Sequence, residues 1–282
     1  MHFLVTGADG YIGSHVVERL IAEGHSVRGL AQYNSLGTAG WLDSLGEKSS
    51  LEIEWGDIRD PQQTISLCSG VDVVIHLAAL ITIPYSYVAP RSYLETNTIG
   101  TQNVLEAVRV QRVPRMVHIS TSEVYGSAQA VPISESHPLV GQSPYSASKI
   151  AADQVAFSYW ASFETPVVTV RPFNTYGPRQ SIRAVIPTII SQLLDHPEFV
   201  ELGSLDTSRD LTYVPDTAGG ILAAALGTGG EGEVYNLGTG DEWSVRDILE
   251  KICELMELSP EISEDSARVR PTKSEVARLV SD

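Results

Sequence analysis

A glycine-rich turn between an apolar strand and an amphipathic helix constrains the fold of this chain more than any other feature. The turn, Gly7-Ala-Asp-Gly10-Tyr-Ile-Gly13, follows the apolar run His2–Thr6 and opens the segment Tyr11–Glu23. Glycines at this spacing permit a tight turn, so that backbone N–H groups and the helix N-terminus can approach a pyrophosphate. The same spacing also occurs in plain strand–helix turns, but its position after the first strand favours a dinucleotide site.

Strand-like and helix-like segments alternate through the first two thirds of the chain. The predicted strands are His2–Thr6, Ser26–Leu30, Leu51–Glu54, Val73–Leu77, Met116–Ser120, Val167–Val170 and Glu233–Leu237, and the predicted helices are Tyr11–Glu23, Pro61–Leu67, Thr96–Arg109, Tyr145–Phe163 and Val245–Glu257. Alternation of this kind predicts an α/β fold with a doubly wound parallel sheet. Prolines and glycines interrupt shorter elements after Arg171, which indicates a smaller C-terminal substrate lobe. We expect residues 1–172 and about 209–238 to form the nucleotide-binding domain, and 173–208 and 239–282 to form the lobe.

Composition excludes several classes of partner. The formal charge of −16 disfavours nucleic acid and anionic membranes. No apolar run approaches the roughly 18 residues of a membrane span, and no signal peptide precedes the first strand, so a cytoplasmic location is expected. The two cysteines, Cys68 and Cys253, are predicted to be free buried thiols, and the histidines show no metal-binding spacing.

The second strand ends without the acid that usually holds the adenosine ribose. Ala31 occupies that position, and an acid there would bond the 2′-hydroxyl and repel a 2′-phosphate. The missing acid weakens the case for NAD over NADP. NAD remains the expected cofactor, with Gln32 or Asn34 to bond the ribose, while Arg28 is the nearby cation that leaves NADP open. Asp57 has two readings, a contact with the adenine edge or a turn or N-cap before Pro61.

A hydroxyl, a carboxylate, a phenol and an ammonium lie close together in the sequence after the fifth strand. Tyr145 and Lys149 are one turn apart at the start of a predicted helix, where a cation can stabilise a phenolate. Thr121 is placed to share a hydrogen bond with a sugar 4-hydroxyl. Glu123 is placed to abstract a C5 proton once C4 has been oxidised. A surface Tyr–Lys pair and an exposed loop acid are the plainer alternatives.

These motifs together resemble the extended short-chain dehydrogenase/reductases that act on nucleotide sugars, over essentially the whole chain. The matching segments are the glycine turn, Ser120–Gly126, Tyr145 with Lys149, Arg171–Arg179 and Arg209–Asp216. Leu80–Ser86, Gly141–Tyr145 and Arg179–Pro187 look most like NAD-dependent 4,6-dehydratases of N-acetylglucosamine nucleotides, which serve legionaminic-acid-type pathways. The resemblance implies a Rossmann fold, a nucleotide-diphosphate sugar as substrate, and a homodimer through helices near Thr96–Arg109 and Tyr145–Phe163.

The resemblance also implies roles for individual residues. The expected catalytic residues are Thr121, Ser122, Glu123, Tyr145 and Lys149. The expected cofactor-binding residues are Gly7, Gly10, Tyr11, Ile12, Gly13, Gln32, Asn34, Asp57, Ile58, Leu77, Ala78, Ala79 and Lys149. The expected substrate-binding residues are Thr82, Asn174, Arg179, Arg183 and Arg209, with Asn174 and Arg209 on the diphosphate. Ser122 stands where dehydratases of deoxythymidine-linked glucose carry Asp, so Glu123 is expected to act as both base and acid.

Three other functions remain open at this point. A nucleotide-sugar decarboxylase shares the Thr-Ser-Glu triplet, but it needs an arginine for the substrate carboxylate that the sequence does not identify. A 4-epimerase needs no base such as Glu123, because it only returns hydride to the other face. An NAD-binding regulator has no reason to keep all of the catalytic side chains. Relatives continue with a further helix beyond a segment like Arg270–Arg278, so we expect a C-terminally incomplete substrate lobe.

Overall fold

The structure is a computed structural model that describes residues 1–46, 49–265 and 271–282. Its strands are β1 (His2–Thr6), β2 (Ser26–Gln32), β3 (Leu51–Gly56), β4 (Val73–His76), β5 (Arg115–Ile119), β6 (Val167–Pro172), β7 (Asn174–Tyr176), β8 (Phe199–Leu202), β9 (Ser208–Tyr213), β10 (Val234–Leu237), β11 (Glu242–Ser244), β12 (Glu261–Glu264) and β13 (Arg278–Leu279). Its α-helices are α1 (Tyr11–Ala22), α2 (Pro61–Leu67), α3 (Ile83–Val88), α4 (Pro90–Tyr93), α5 (Gly100–Gln111), α6 (Pro144–Phe163), α7 (Val185–Asp195), α8 (Val214–Leu226) and α9 (Val245–Met256).

A parallel sheet of seven strands confirms the predicted fold class. The lateral order is β10-β6-β5-β4-β1-β2-β3, so the chain winds outward from β1 in one direction and then in the other. Every pairing in this sheet is parallel. The carboxyl ends of the strands therefore share one edge, and ligands of open α/β sheets bind at that edge.

Helices cover both faces of this sheet. One apolar cluster joins α1 and α8 to the sheet through residues such as Val16, Leu20 and Ile221. A second cluster joins α2, α5 and α6 to the opposite face through Leu67, Leu105 and Ala156. Strands that are buried on both faces are rich in apolar residues, as Val73–Ile75 of β4 shows, although His76 and His118 near the ends of β4 and β5 are buried polar exceptions.

A smaller group of elements follows β6. Strand β9 pairs with β7, β11 and β13, and β8 pairs with β12. Helices α7 and α9 pack with β8 around a separate apolar cluster that contains Ile189, Leu193 and Leu249. Helix α8 and strand β10 return to the large sheet.

The helix predicted at Thr96–Arg109 is longer and less regular than the sequence indicates. It runs from α4 through a π-helical turn at Leu94–Ile99 into α5. Such π turns are frequent at functional sites, and this one contains the buried Asn97.

Cys68 is a buried free thiol as predicted, whereas Cys253 on α9 is only partly buried. None of the described helices is long and apolar enough to cross a membrane. In the described ranges, no group of three or more His, Cys, Asp or Glu side chains could hold a metal ion.

Candidate active site

The glycine turn after β1 is too tightly packed for side chains at two of its positions. Gly7 has a φ of +68°, and a Cβ there would lie 2.8 Å from the backbone nitrogen of Ala78. A Cβ on Gly13 would lie 2.1 Å from the carbonyl oxygen of Gly7. Both glycines therefore bring the end of β1, the start of α1 and the loop after β4 into direct backbone contact.

The N-terminus of α1 is left open towards the carboxyl edge of the sheet. Gly10 occupies the N-cap without a side-chain hydrogen bond, and the first turn holds no acidic residue. Uncapped N–H groups and the helix dipole both favour an anion there. The hydroxyl of Tyr11 is buried and lacks a hydrogen-bond partner in the described chain. Ile12 packs against the neighbouring apolar cluster. These features fit the pyrophosphate of a dinucleotide.

Gln32 and Asn34, at the end of β2 and in the loop that follows, differ in how their side chains are engaged. The Asn34 amide donates to the carbonyl oxygens of Gln32 and Thr38, at 3.1 and 2.9 Å, and its oxygen accepts from the Leu36 N–H. Asn34 therefore braces its own loop. Gln32 is exposed at the end of the strand. Both roles at the ribose stay predictions.

The loop after β3 holds two of the predicted cofactor-binding residues, Asp57 and Ile58. Asp57 accepts from Arg59 in a paired contact of 2.5 to 3.0 Å, and Arg59 holds the pKa of that carboxyl below its usual range. The N-cap before Pro61 is Asp60, so Asp57 forms a turn and caps no helix. Ile58 is buried, and a Cβ on Gly100 would lie 2.5 Å from its Cδ1.

The loop after β4 is fixed at both ends. The backbone nitrogen of Leu77 donates to the Thr6 carbonyl oxygen and that of Ala78 to the Thr6 hydroxyl, both at 3.2 Å. Ala79 follows in the same loop, and the buried Asn97 binds the backbone of Leu80 in both directions, at 2.8 and 2.9 Å.

Asn97 also ties this loop to α6. Its amide donates to the Ser148 hydroxyl at 2.9 Å, next to Lys149 in the sequence. Sequence reasoning missed Asn97, because a polar residue inside a predicted helix carries no local sign of burial. Its position in the π-helical turn was the only available signal, and that turn is visible only in the structure.

A short helical turn after β5 presents the predicted triplet. Thr121 is the N-cap of the turn Ser122–Tyr125, and its hydroxyl accepts from the Glu123 N–H at 3.2 Å. Ser122 is buried and Glu123 is partly buried. Gly126 ends the turn at a φ of +62°, where a Cβ would lie 2.7 Å from the Val140 carbonyl oxygen.

Tyr145 and Lys149 lie one turn apart near the start of α6, as predicted, and both are buried. Burial raises the pKa of the Tyr145 phenol, and the charge of Glu123 raises it further, while a hydrogen bond with Thr121 opposes them. These interactions bring Thr121, Glu123 and Tyr145 together, as the sequence predicted. The alternatives of a surface pair and an exposed acid are wrong for these residues.

Lys149 carries a charge in an environment that disfavours it. Burial lowers the pKa of its ammonium to about 8, although the charge of Asp153 opposes the shift. The Nζ atom donates to the carbonyl oxygen of Ile119 at 2.7 Å. This contact holds the ammonium at the end of β5, beside the catalytic turn.

A buried polar layer lies beneath Lys149, and sequence reasoning missed it. Asp153 accepts from His118 Nε2 at 3.1 Å and from Arg171 Nε at 3.1 Å. The His118 ring stacks on that of His76, with centroids 5.8 Å apart. Burial lowers the pKa of both histidines, so they are neutral near pH 7. Burial alone raises the pKa of Asp153, but His118 and Arg171 together outweigh it and hold it below its usual range.

The predicted substrate residues occupy two regions. Asn174 begins β7 and pairs with Leu211 of β9, two residues after Arg209, so Asn174 and Arg209 lie close together on adjacent strands. The Arg179 guanidinium instead contacts α1, at 2.9 Å from Glu18 and 3.2 Å from the Ser14 hydroxyl. It therefore lies beside the helix that follows the glycine turn.

Thr82 and Arg183 lie on the Tyr145 side. The Thr82 carbonyl oxygen accepts from the Tyr93 hydroxyl, and the Tyr93 ring packs edge-on against Tyr145 with centroids 6.2 Å apart. The positive charge of Arg183 acts on Tyr93, where it opposes the increase in the phenol pKa caused mainly by burial. Arg183 itself is exposed.

Comparison with known proteins finds a match over nearly the whole chain. The sequence profile of the GDP-mannose 4,6 dehydratase family covers residues 4–281. The chain belongs to this family. Membership confirms the expected place among the extended short-chain dehydrogenase/reductases that act on nucleotide sugars.

Individual members of the family differ in activity. A dTDP-glucose 4,6-dehydratase from Actinoplanes sp. is 38% identical over 261 residues, which are 90% of this chain and 81% of that protein. The crystal structure of a dTDP-glucose 4,6-dehydratase from Streptomyces venezuelae with NAD bound is 32% identical, with a TM-score of 0.89 over 100% of this chain and 88% of that one. A UDP-glucuronic acid 4-epimerase from Bacillus cereus, in complex with UDP-glucuronic acid and NAD, is 29% identical, with a TM-score of 0.91 over 100% and 90%.

Proposed function

We propose that the protein is an NAD-dependent nucleotide-sugar 4,6-dehydratase that acts on an N-acetylglucosamine nucleotide. The observation that carries the proposal is the placement of Glu123 beside the Thr121–Tyr145 pair, where its charge acts on the Tyr145 phenol. Oxidation of C4 alone needs only the tyrosine and the lysine. A carboxylate in the same site adds the base that elimination requires.

The chain's own residues fit NAD. The backbone of the glycine turn and the open N-terminus of α1 would hold the pyrophosphate, and Lys149 would face the nicotinamide end of the site. The relatives from Streptomyces venezuelae and Bacillus cereus were both solved with NAD. When bound, NAD takes a hydride from C4 of the sugar and returns it to C6.

Tyr145 and Glu123 then transfer the protons, and Thr121 and Lys149 assist them. Thr121 and Tyr145 orient the 4-hydroxyl, and Tyr145 takes its proton. Lys149 is the cation of α6, and it supports the phenolate that burial disfavours. The resulting 4-ketone acidifies the C5 proton, which Glu123 removes. Glu123 then protonates the leaving hydroxyl at C6, because Ser122 has no acidic proton to give. Once C6 is reduced, C5 takes up one proton from solvent and Tyr145 releases the proton it took from the 4-hydroxyl, so the net loss is one water.

The epimerase among the similar structures is the second candidate, since its fold matches over the whole chain. A 4-epimerase rotates its ketone and returns hydride to C4, so it gains nothing from a base at C5. The partly buried Glu123 therefore favours the dehydratase. A decarboxylase needs a cation for a C6 carboxylate, and the positive charge of Arg183 acts on Tyr93, whose ring packs against Tyr145.

The apolar side chains packed around Tyr145 support the proposed sugar. Leu80 and Ile83 form an apolar cluster with Tyr93 and Tyr145. Leu80 and Ile83 belong to the Leu80–Ser86 segment that resembles enzymes of N-acetylglucosamine nucleotides. An apolar wall beside the sugar suits the methyl group of a 2-acetamido substituent. Asn174 and Arg209 remain the proposed diphosphate contacts.

Two exposed aromatic side chains on α6 support a homodimer. Phe157 and Phe163 are 50% and 55% exposed, on a helix whose opposite side packs into the core. We expect a Phe157→Glu variant to be monomeric by light scattering, whereas Leu255→Glu, which alters an equally apolar exposed residue on α9, leaves the dimer intact. A monomeric wild-type protein at micromolar concentration would contradict the proposed dimer.

Product mass separates the candidate activities. The protein is incubated with UDP- and GDP-N-acetylglucosamine, dTDP-glucose and UDP-glucuronic acid, and each product is examined by mass spectrometry. Loss of water identifies a dehydratase, loss of carbon dioxide a decarboxylase, and unchanged mass with a new stereoisomer an epimerase. Loss of water from dTDP-glucose alone would retain the reaction but overturn the proposed sugar.

A Glu123→Gln variant tests the mechanism. Oxidation at C4 should survive while elimination slows by about 10² to 10⁴, so reduced nicotinamide should accumulate on the enzyme. Stopped-flow absorbance measures this signal. Glu198→Gln is the matched control, since Glu198 is an exposed acid on the surface. Normal dehydration by Glu123→Gln would refute the assignment.

A further inference from the structure

The end of β2 receives an acid from a different part of the chain. The residue at the usual position of the acid is Ala31, which is fully buried and has no carboxylate. The Asp9 side chain, from the glycine turn, reaches this point, and its Oδ2 accepts from the Gln32 N–H at 3.2 Å. A carboxylate therefore lies at the strand end even though the sequence of β2 contains none there.

The backbone around Asp9 fixes the direction of this side chain. The Asp9 carbonyl oxygen accepts from the Trp41 N–H at 3.1 Å. Gly40 has a φ of +58°, and a Cβ there would lie 2.5 Å from that same oxygen. The Ala8 N–H donates to the Leu30 carbonyl oxygen at 3.2 Å. The loop after β2 thus packs on the Asp9 backbone and leaves the carboxylate at the end of the strand.

The two arginines near this point are already engaged. Arg28 is 2.9 Å from Glu52, and it also donates to the carbonyl oxygens of Leu67 and Ser69 at 2.8 and 3.0 Å. Arg59 makes its paired contact with Asp57. Binding of a 2′-phosphate by either arginine would require breaking these contacts. Among the described residues, neither is therefore a ready partner for NADP.

We propose that Asp9 accepts a hydrogen bond from the 2′-hydroxyl of the adenosine ribose and thereby selects NAD over NADP. The position at the end of β2 is where dinucleotide-binding folds hold this ribose. A carboxylate is an acceptor only, so it suits a hydroxyl donor, and its charge repels a phosphate. This inference deepens the proposed function and rests on its assignment of a nicotinamide dinucleotide.

Dissociation constants measured by calorimetry test the proposal without any turnover. The ligands are NAD, NADP and 2′-deoxyadenosine NAD, and the proteins are wild type, Asp9→Asn and the control Asp43→Asn. Asp43 lies on the loop after β2 and accepts from Thr38 at 2.6 Å, so its variant removes the same charge nearby. The amide introduced by Asp9→Asn keeps an oxygen for the Gln32 N–H, which preserves the local fold.

The wild type should bind NAD at least about 100-fold more tightly than NADP. Asp9→Asn should bind NAD about 10- to 100-fold more weakly than wild type, which is the usual value of a hydrogen bond to a charged group. The same variant should bind NADP more tightly than wild type does. The 2′-deoxy analogue should bind both proteins with similar affinity, because it lacks the hydroxyl that Asp9 recognises. Asp43→Asn should leave the dissociation constants of all three ligands within about twofold of the wild-type values.

Two results would overturn the proposal in distinguishable ways. If wild type binds NAD and Asp9→Asn keeps the same preference over NADP, the assignment of Asp9 fails while the proposed function stands. If wild type binds neither dinucleotide, the proposed cofactor fails and the role of Asp9 fails with it. Circular dichroism of each variant confirms that a lost affinity is not a lost fold.

Discussion

Replacing Lys149 by methionine tests how much stability the protein gives up to keep a buried ammonium. Methionine has nearly the same length and no charge, so the variant removes the desolvation cost and preserves packing. Burial lowers the pKa of Lys149 from 10.5 to about 8. Each pH unit in this interval corresponds to about 1.4 kcal/mol, so the charged folded state carries a penalty of about 3 kcal/mol.

The sign of the pH dependence follows from the direction of the shift. Below pH 8 the lysine is protonated in both the folded and the unfolded states, and the whole penalty is present. Between pH 8 and 10.5 the folded state has lost the proton while the unfolded state still binds it, so stability rises with pH. Wild-type stability should therefore rise by about 3 kcal/mol relative to Lys149→Met across this interval.

Urea unfolding of both proteins at several pH values, after removal of bound nucleotide, measures this difference. At pH 7 the variant gains about 3 kcal/mol from the missing charge and loses about 1–3 kcal/mol because the Ile119 carbonyl oxygen is left without its donor. We expect it to be as stable as wild type or more so, and inactive. The other titrating groups are common to both proteins, so only Lys149 can make their pH dependences differ. If the free energy of unfolding changed equally with pH in both proteins from pH 7 to pH 10.5, the reasoning would be refuted.

Two further changes, each with a matched control, have defined outcomes. Asp153→Asn should destabilise the protein by about 3 kcal/mol in urea, since it leaves the Arg171 guanidinium without its counter-charge, whereas the exposed Asp206→Asn should have little effect. Gly13→Ala should cost about 3 kcal/mol and abolish NAD binding in calorimetry, because its Cβ would lie 2.1 Å from a carbonyl oxygen of the glycine turn. Gly24→Ala, at a φ of +83° with no atom within 4 Å of its Cβ, should cost only about 1 kcal/mol and bind NAD normally.

Local sequence patterns were sufficient for the large sheet and for the reacting groups. Buried parallel strands are rich in apolar residues and alternate with helix-like segments, so the order of elements can be followed along the chain. Tyr145 and Lys149 share a helix face because their spacing is one helical turn. Thr121 and Glu123 belong to one short turn. Each of these relations lies within a single element or between neighbouring ones.

The smaller elements after β6 were less predictable. Strands β7 and β13 have only three and two residues, which is too short for a recognisable alternation. Helix α8 is rich in apolar residues all round, so its periodicity is weak as a sequence signal. The pairing of β9 with β7, β11 and β13 depends on contacts between segments that are distant in the chain.

Tertiary structure alone decided which side chains meet across the sheet. His76 and His118 are register partners on β4 and β5, and α6 supplies Asp153 above them, although long stretches of sequence separate the three. Asp9 reaches the end of β2 in the same way, and Arg179 reaches α1. Periodicity reports neighbours along one helix or strand, whereas parallel strands join segments through long crossovers. Packing of the complete chain therefore sets those contacts.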